Sequence, residues 1–286
     1  MLRIKYNFDI SNISYIKVGG KVKLYIETDE IEVVRKILKV SKKIKYIGNT
    51  SNIFFSFSYN SYIFIKYIDR SLIIDKVIEV GSGLSLRYLI NKLCELDIGG
   101  IEKLIGIPCL VGGGIVNNIS SFNQEISSLL IDLLVMDING NILTLKKENI
   151  IFSYHYSSLV HSNLLILKAR FYITKLNKIT IKNNINEVTK IRHKLQPHNR
   201  LTLGSTFRKY EDICIPRIIE ELELKGYKIG KCEISRVHSN FLEVTPKSNY
   251  LNIISLIELT NRLLYNKLGY YIDLEIEQIR GVRWTL

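Results

Sequence analysis

Along the chain, stretches of apolar residues at helical spacing alternate with shorter runs at strand spacing. Over residues 31 to 45 (IEVVRKILKVSKKIK), Val33, Ile37, Val40 and Ile44 recur at helical spacing. Val34 and Leu38 widen that stripe, and Lys36, Lys39, Lys42 and Lys43 lie mostly outside it. The spacing predicts an amphipathic helix over 31–45. Short apolar runs at Tyr46 and Ile47, Ile53 to Phe57 and Tyr62 to Tyr67 predict strands around the turn Gly48-Asn49-Thr50-Ser51-Asn52, so the chain opens with a small α/β lobe.

The next stretch predicts a strand at KVIEV (76–80), a Gly81-Ser82-Gly83 turn and a helix from Leu86 to Leu96. A glycine-dense segment, 99–114, follows; glycine permits positive φ and close approach of backbone N–H groups to a ligand. Asn139-Gly140 sits between two apolar runs in LLVMDINGNILTL (133–145), which predicts a hairpin, and 164–173 predicts a strand. Residues 175–184, rich in Lys, Asn and Thr, read as a linker or an exposed excursion. Helical spacing resumes over 185–195, with Val188, Ile191 and Leu195 on one face. Beyond it the pattern predicts a turn at Gly204-Ser205, helices over 216–224 and 250–268, and a last strand over 271–279.

Composition sharpens this picture in three places. At 286 residues, 47% hydrophobic and 23% charged, the chain has the make-up of a folded soluble protein of two or three domains. The net charge is +13, a balance that raises the question of nucleic acid or an anionic surface. However, isoleucine supplies about one residue in six and the only alanine is Ala169, a skew away from the usual alanine-rich usage. Codon drift toward AT accounts for much of the lysine on that reading, and a groove for an anionic ligand accounts for the remainder. Neither an aromatic stacking motif nor a clustered basic helix supports a nucleic-acid partner. The four cysteines, Cys94, Cys109, Cys214 and Cys232, show no CxxC pairing and no histidine at ligand spacing, so no metal is expected and a reducing, cytoplasmic setting is. No apolar run of signal-peptide or membrane-spanning length occurs.

Eight short motifs, spread over nearly the whole chain, follow the order found in one known family of proteins. SYIKVGG (14–20) resembles the family's T-F/Y-K/R-V/I-GG, and GNTSN (48–52) its G-x-GSN loop. GIEKLIGIPCLVGGGIVNN (100–118) resembles GLE-x-L-x-GIPG-T/S-VGGA-x-x-x-N, and FSYHYSS (152–158) resembles F-x-YR-x-S. RHKLQP (192–197) is similar to R-x-x-x-QP, and GSTF (204–207) to GS-x-F. GYKIGKCEISRVHSNF (226–241) resembles G-x-R/K-IGG-x-x-x-S-x-x-H-x-NF, and LEIE (274–277) resembles L-x-x-E. One glycine motif alone carries little weight; eight in order make chance a poor explanation, and the chain resembles the UDP-N-acetylenolpyruvoylglucosamine reductase family.

The resemblance implies an α+β fold. Two α/β lobes, 1–69 and 70–175, would form a vanillyl-alcohol-oxidase (PCMH) type FAD-binding domain, and 176–286 an α+β substrate-binding domain. It implies a monomeric flavoenzyme in which NADPH reduces FAD and UDP-N-acetylglucosamine enolpyruvate then takes a hydride at C3 and a proton at C2, in the synthesis of a peptidoglycan precursor. FAD contacts fall on Gly48, Asn49, Thr50, Ser51, Asn52, Ile107, Pro108, Cys109, Val111, Gly112, Gly113 and Asn118, with backbone N–H groups of both loops facing phosphate. Substrate contacts fall on Tyr154, Arg192 and Gln196. Ser205 is the implied proton donor, and Glu277 the carboxylate that stabilises the enol, with Glu275 two residues away as its rival.

Departures from the family pattern bear on activity. His155 stands where the family has arginine, and it has a shorter reach, no bidentate fork and an ordinary pKa near ~6.5. Thr50 and Cys109 replace glycines, and 119–123 (ISSFN) replaces AGAYG; bulk at a positive-φ position is costly. Two readings follow: a working reductase, or a decayed relative, with or without flavin, that turns over weakly or not at all.

Overall fold

In a computed structural model, which describes residues 1–210 and 213–281, the first helix, α1, is shorter than its apolar stripe and spans Ile31–Val40. The residues it buries are Val34 and Leu38, while Val40 is exposed. The stripe expected through Val40 and Ile44 therefore breaks: the chain leaves the helix at Ser41, and Ile44 belongs to the strand Ile44–Tyr46. The other helices are α2 (Leu86–Glu95), α3 (Val111–Val116), α4 (Lys178–Leu195), α5 (Ile215–Glu221) and α6 (Tyr250–Leu268). Asn249 starts α6 by accepting from the Leu251 N–H, and Gly269 ends it at φ 85°, the cap pair that its sequence provides.

The chain divides into two compact units, each drawn from three stretches. One comprises Met1–Lys5, Leu24–Asn49 and Tyr62–Arg192, the other Tyr6–Lys23, Thr50–Ser61 and His193–Leu286. The lobes 1–69, 70–175 and 176–286 divide the chain by sequence order, whereas these units follow contact density.

In the first unit, a five-stranded sheet runs in the order Ile142–Lys146, Leu130–Met136, Leu165–Phe171, Ile78–Gly81, Leu72–Ile74, and every pairing is antiparallel. The hairpin expected over 133–145 is its first pair. Strand alternation sends Leu133, Val135, Ala169 and Val80 into one core with Leu86, Leu89, Leu93, Val111 and Ile115 from α2 and α3. Leu134, Met136, Leu165 and Leu167 meet Val34 and Leu38 of α1 in another.

Of the expected linker at 175–184, Lys175 ends the short strand Thr174–Lys175 and the residues from Lys178 onward begin α4. Asn177 Oδ1 caps it by accepting from Ile179 N at 2.7 Å, Ile181 and Val188 are buried, and Asn184 donates to Glu102 at 2.8 Å. Leu195, expected on the buried face, is exposed. So few apolar anchors leave a helix that reads as polar filler.

In the second unit, α5 and α6 enclose a core with Phe54, Phe207, Ile234, Leu242, Val244 and Leu256 and with the antiparallel strands Lys228–Ile229, Cys232–Ile234 and Leu242–Val244. The strand Glu277–Arg280 pairs in parallel with Ile53–Ser56, placing Glu277 opposite Ile53. This pairing joins the tail of the chain to the residues after the GNTSN turn. The strand expected over 271–279 forms only from Glu277.

Candidate active site

In the first unit, α3 carries Gly112, Gly113 and Gly114, the last three glycines of the dense segment. A Cβ on Gly112 would lie 2.8 Å from Ser82 Cβ, so that position requires glycine for packing. A Cβ on Gly113 would meet nothing within 4 Å, and one on Gly48 only Gly113 Cα at 3.9 Å. The two glycine turns thus lie against each other with open space on the far side of Gly113, and Asn49 Nδ2 ties them by donating to Pro108 O at 2.8 Å. Most backbone donors of the second turn are spent inside the fold. Ile107 N donates to Leu104 O, Cys109 N to Ile107 O, Val111 N to Leu84 O and Gly112 N to Ser82 O; Pro108 has none. A ligand therefore meets the open face at Gly113, a narrower contact than the full N–H set expected from the sequence.

Asn118 closes this turn at φ 40°. It is fully buried, its Nδ2 donates to Ser153 O at 2.8 Å and Glu125 Oε2 at 3.1 Å, and its Oδ1 has no partner among the described residues. A buried acceptor left over in this way costs about 1–3 kcal/mol, and a donor on a bound group would remove that cost. The Ser153 contact brings the glycine turn to the FSYHYSS hairpin, whose strands Phe152–Ser153 and Tyr156–Ser157 leave Tyr154 and His155 at the tip. Tyr154 is exposed, and its ring meets that of His155 edge-on at 4.3 Å. His155 has φ 49°, a conformation histidine adopts more readily than most residues. Its Nε2 lies 3.1 Å from Ser120 Oγ. Arg192, in α4, donates from Nη2 to Ser121 Oγ at 2.8 Å, and desolvation pulls its guanidinium below the usual range.

The second unit holds Thr50, Ser51, Asn52, Gln196, Ser205 and Glu277. Gly204, at φ 84° with open space around it, lifts Ser205 to a half-buried position. Asn240 then clamps the segment: its backbone carbonyl accepts from Thr206 N at 2.7 Å, its Oδ1 accepts from Phe207 N at 3.0 Å and its Nδ2 donates to Phe207 O at 2.9 Å. Glu275 N donates to Thr206 O at 2.9 Å. Asn52 donates from Nδ2 to Glu275 O at 3.2 Å and accepts from Glu277 N at 2.8 Å. Ser205, both glutamates and the end of the GNTSN turn are thereby held on one connected backbone network. Gln196 directly follows the last residue of α4 and is half-buried.

The two glutamates differ in setting. Glu277 is exposed. Glu275 is half-buried, and desolvation pushes its carboxyl up to about 7 against the lowering effect of Arg208. Thr50 has φ 54°, the strained position expected for a residue replacing glycine. Its hydroxyl repays part of that strain by accepting from Tyr15 N at 2.9 Å. Cys109, also expected to be strained, has no positive φ; its side chain lies beside Gly114.

Three residues outside the expected site emerge from these contacts. Asn240 was visible as part of the SNF match, but nothing in a linear motif shows that it clamps the serine segment. Ser120 and Ser121 show in the sequence only as part of the ISSFN departure, which does not reveal that they bond side chains more than thirty residues away. His238 is a packing residue: its ring stands against Phe241 at 4.5 Å and desolvation lowers its pKa.

The thiols give a direct check. Burial pushes Cys109 and Cys232 up to about 12 and Cys94 is buried, while Cys214 is exposed. Since thiolate is the reactive form, Cys214 should react rapidly with a maleimide in the native protein, the half-buried Cys109 slowly because its thiol is held protonated, and Cys94 and Cys232 only after unfolding, as mass spectrometry would show.

The model of the UDP-N-acetylenolpyruvoylglucosamine reductase C-terminal domain matches residues 196–279, the segment that carries Ser205, Asn240 and Glu277. A UDP-N-acetylenolpyruvoylglucosamine reductase of Clostridium botulinum is 31% identical over 268 residues, covering 91% of this chain and 87% of that protein. The chain belongs to the UDP-N-acetylenolpyruvoylglucosamine reductase family. The same-named protein of Clostridium novyi is 29% identical over 280 residues, covering 96% of this chain and 91% of its own. The crystal structure of UDP-N-acetylenolpyruvylglucosamine reductase from Thermus caldophilus superposes with a TM-score of 0.84 at 22% identity, over 97% of this chain and 99% of that one. The α+β fold expected from the motifs is thus borne out as the reductase fold. No described helix is long and apolar enough to cross a membrane.

Proposed function

We propose that this member of the reductase family catalyses NADPH-dependent, FAD-mediated reduction of UDP-N-acetylglucosamine enolpyruvate to UDP-N-acetylmuramate, in the cytoplasm, as a step of peptidoglycan precursor synthesis. The observation that carries the reading is Ser205, held by the Asn240 clamp on the same backbone network as Glu275 and Glu277, in a chain related over its length to enzymes of that name.

The first unit has features that fit FAD: the open face at Gly113 beside Gly48, the Asn49 tie and the spare buried acceptor of Asn118. With Thr50, Ser51, Asn52, Ile107, Pro108, Cys109, Val111 and Gly112 these residues would hold the cofactor. When bound, FAD supplies the two-electron transfer from NADPH to the enolpyruvyl double bond. The protein must then deliver a proton to C2 of the substrate, and Ser205 is the group assigned to do so. A serine hydroxyl is a weak acid, so its position has to be held by its surroundings. Glu277 is the group assigned to stabilise the enol form of the substrate carboxylate as charge builds there. Tyr154, His155, Arg192 and Gln196 receive the anionic substrate.

A second reading, a flavin-binding protein with little turnover, is favoured by His155 in place of arginine and by Phe122 at φ 48°. One assay decides: the purified protein's flavin spectrum, and NADPH oxidation with and without the enolpyruvyl substrate. Substrate-dependent oxidation supports the reductase; bound flavin without it supports the second reading; no flavin after reconstitution ends both. His155→Arg should raise kcat/KM for the enolpyruvyl substrate more than about tenfold, since a planar bidentate guanidinium replaces an imidazole; tenfold corresponds to roughly 1.4 kcal/mol of barrier.

A further inference from the structure

Residues 120–125 form a two-stranded hairpin, with Ser120 opposite Glu125 and Ser121 opposite Gln124. Both turn residues, Phe122 at φ 48° and Asn123 at φ 62°, are left-handed, the geometry that matches strand twist in a two-residue hairpin. The far strand anchors it. Gln124 accepts from Lys103 N at 2.8 Å and donates to the buried Glu102 at 3.1 Å, while Glu125 accepts from Asn118 at 3.1 Å. Glu102 is itself fixed by Gly100 N at 2.6 Å and Asn184 at 2.8 Å. The near strand is therefore rigidly mounted, and its two serines, pointing to opposite faces as strand neighbours do, each reach a different basic side chain: Ser120 reaches His155 at 3.1 Å and Ser121 reaches Arg192 at 2.8 Å.

We propose that this hairpin is a positioning platform, with Ser120 setting the rotation of the His155 imidazole and Ser121 the guanidinium of Arg192, so that both present fixed donors to an anionic group of the substrate. The proposal rests on the substrate reading above. Arg192 is held at both ends: its stem crosses Gly106, where a Cβ would lie 2.5 Å from Cδ, and its tip meets Ser121. An imidazole has one rotational freedom about its bond to Cβ, and a hydrogen bond at Nε2 removes it, which directs Nδ1. Orientation of this kind lowers the entropy that a ligand must otherwise supply on binding. It also offsets part of the loss incurred when a histidine stands in for a bidentate fork.

The test uses the full chain loaded with FAD. Calorimetry with UDP-N-acetylglucosamine enolpyruvate should show Kd raised about tenfold in Ser120→Ala and in Ser121→Ala, the scale of a lost hydrogen bond to a charged group. Flavin content should be unchanged, and Ser120→Thr and Ser121→Thr should restore affinity. In turnover the same variants raise KM with kcat nearly constant. Side-chain 15N spectra supply an independent readout. The His155 ring resonances, assigned by their loss in His155→Gln, should move in Ser120→Ala and stay in Ser121→Ala, and the Arg192 Nε resonance should do the reverse. Unmoved resonances, or unchanged Kd in both alanine variants, overturn the proposal. A wild-type protein that binds the substrate without reducing it would instead sink the proposed function, while the Kd and resonance results still decide the platform.

Discussion

Ser205→Ala will lower kcat for reduction of the enolpyruvyl substrate by about 10²- to 10⁴-fold, the range supplied by a positioned general acid. The proton is needed only when substrate is reduced, so the rate at which NADPH bleaches the flavin should be unaltered, and stopped-flow measurement of the two half-reactions separates them. The fold should be unaffected, because the segment is held by Asn240 through the backbone of Thr206 and Phe207 rather than through the Ser205 hydroxyl. Asn240→Ala removes two of those hydrogen bonds and leaves buried backbone groups unpaired, so it should lower Tm and kcat together. A Ser205→Ala protein that keeps activity within tenfold of wild type would remove this serine from the mechanism.

Glu277→Gln should lower kcat about 10²- to 10³-fold, as loss of an electrostatic stabiliser does. Glu275→Gln should act mainly on stability, in a direction set by its pKa. The Glu275 carboxyl titrates near 7 in the folded chain and near 4.5 when unfolded. Between those values the unfolded state has released a proton that the folded state retains, so raising the pH favours unfolding, and above about 7 the penalty is fully present. Replacing Glu275 by glutamine abolishes it. The Tm of the variant relative to wild type should therefore climb from pH 4.5 to 7 and level off above, as calorimetry across that window would record. If Glu275→Gln were the one to lose kcat while Glu277→Gln kept it, the catalytic carboxylate would be the half-buried one.

Much of the fold could be read along the chain because it depends on short-range pattern. Helix α6 begins and ends at the predicted residues, Tyr250 and Leu268, where Asn249 and Gly269 provide caps that depend on neighbours one or two residues away. Where the pattern failed, distant partners had overridden it. The polar start of α4 becomes helix because Asn184 bonds to Glu102, eighty-two residues earlier. The last strand shortens to four residues because its pairing is set by Ile53–Ser56 and not by its own apolar alternation.

The site divides along the same line. By itself the sequence determined which groups are present and in what order: the two glycine turns, Tyr154 and His155, Arg192 and Gln196, Ser205, and a pair of glutamates near the end. These are the covalent identities on which the family likeness rests. Only the tertiary structure decided how those groups are held. It commits four N–H groups of the second glycine turn to the protein's own carbonyls, tells a half-buried Glu275 from an exposed Glu277, and sets Ser120 and Ser121 against His155 and Arg192. The reason is physical: a hydrogen bond, a burial or a shifted pKa belongs to a pair of groups in space, and linear spacing does not encode contacts between residues tens of positions apart.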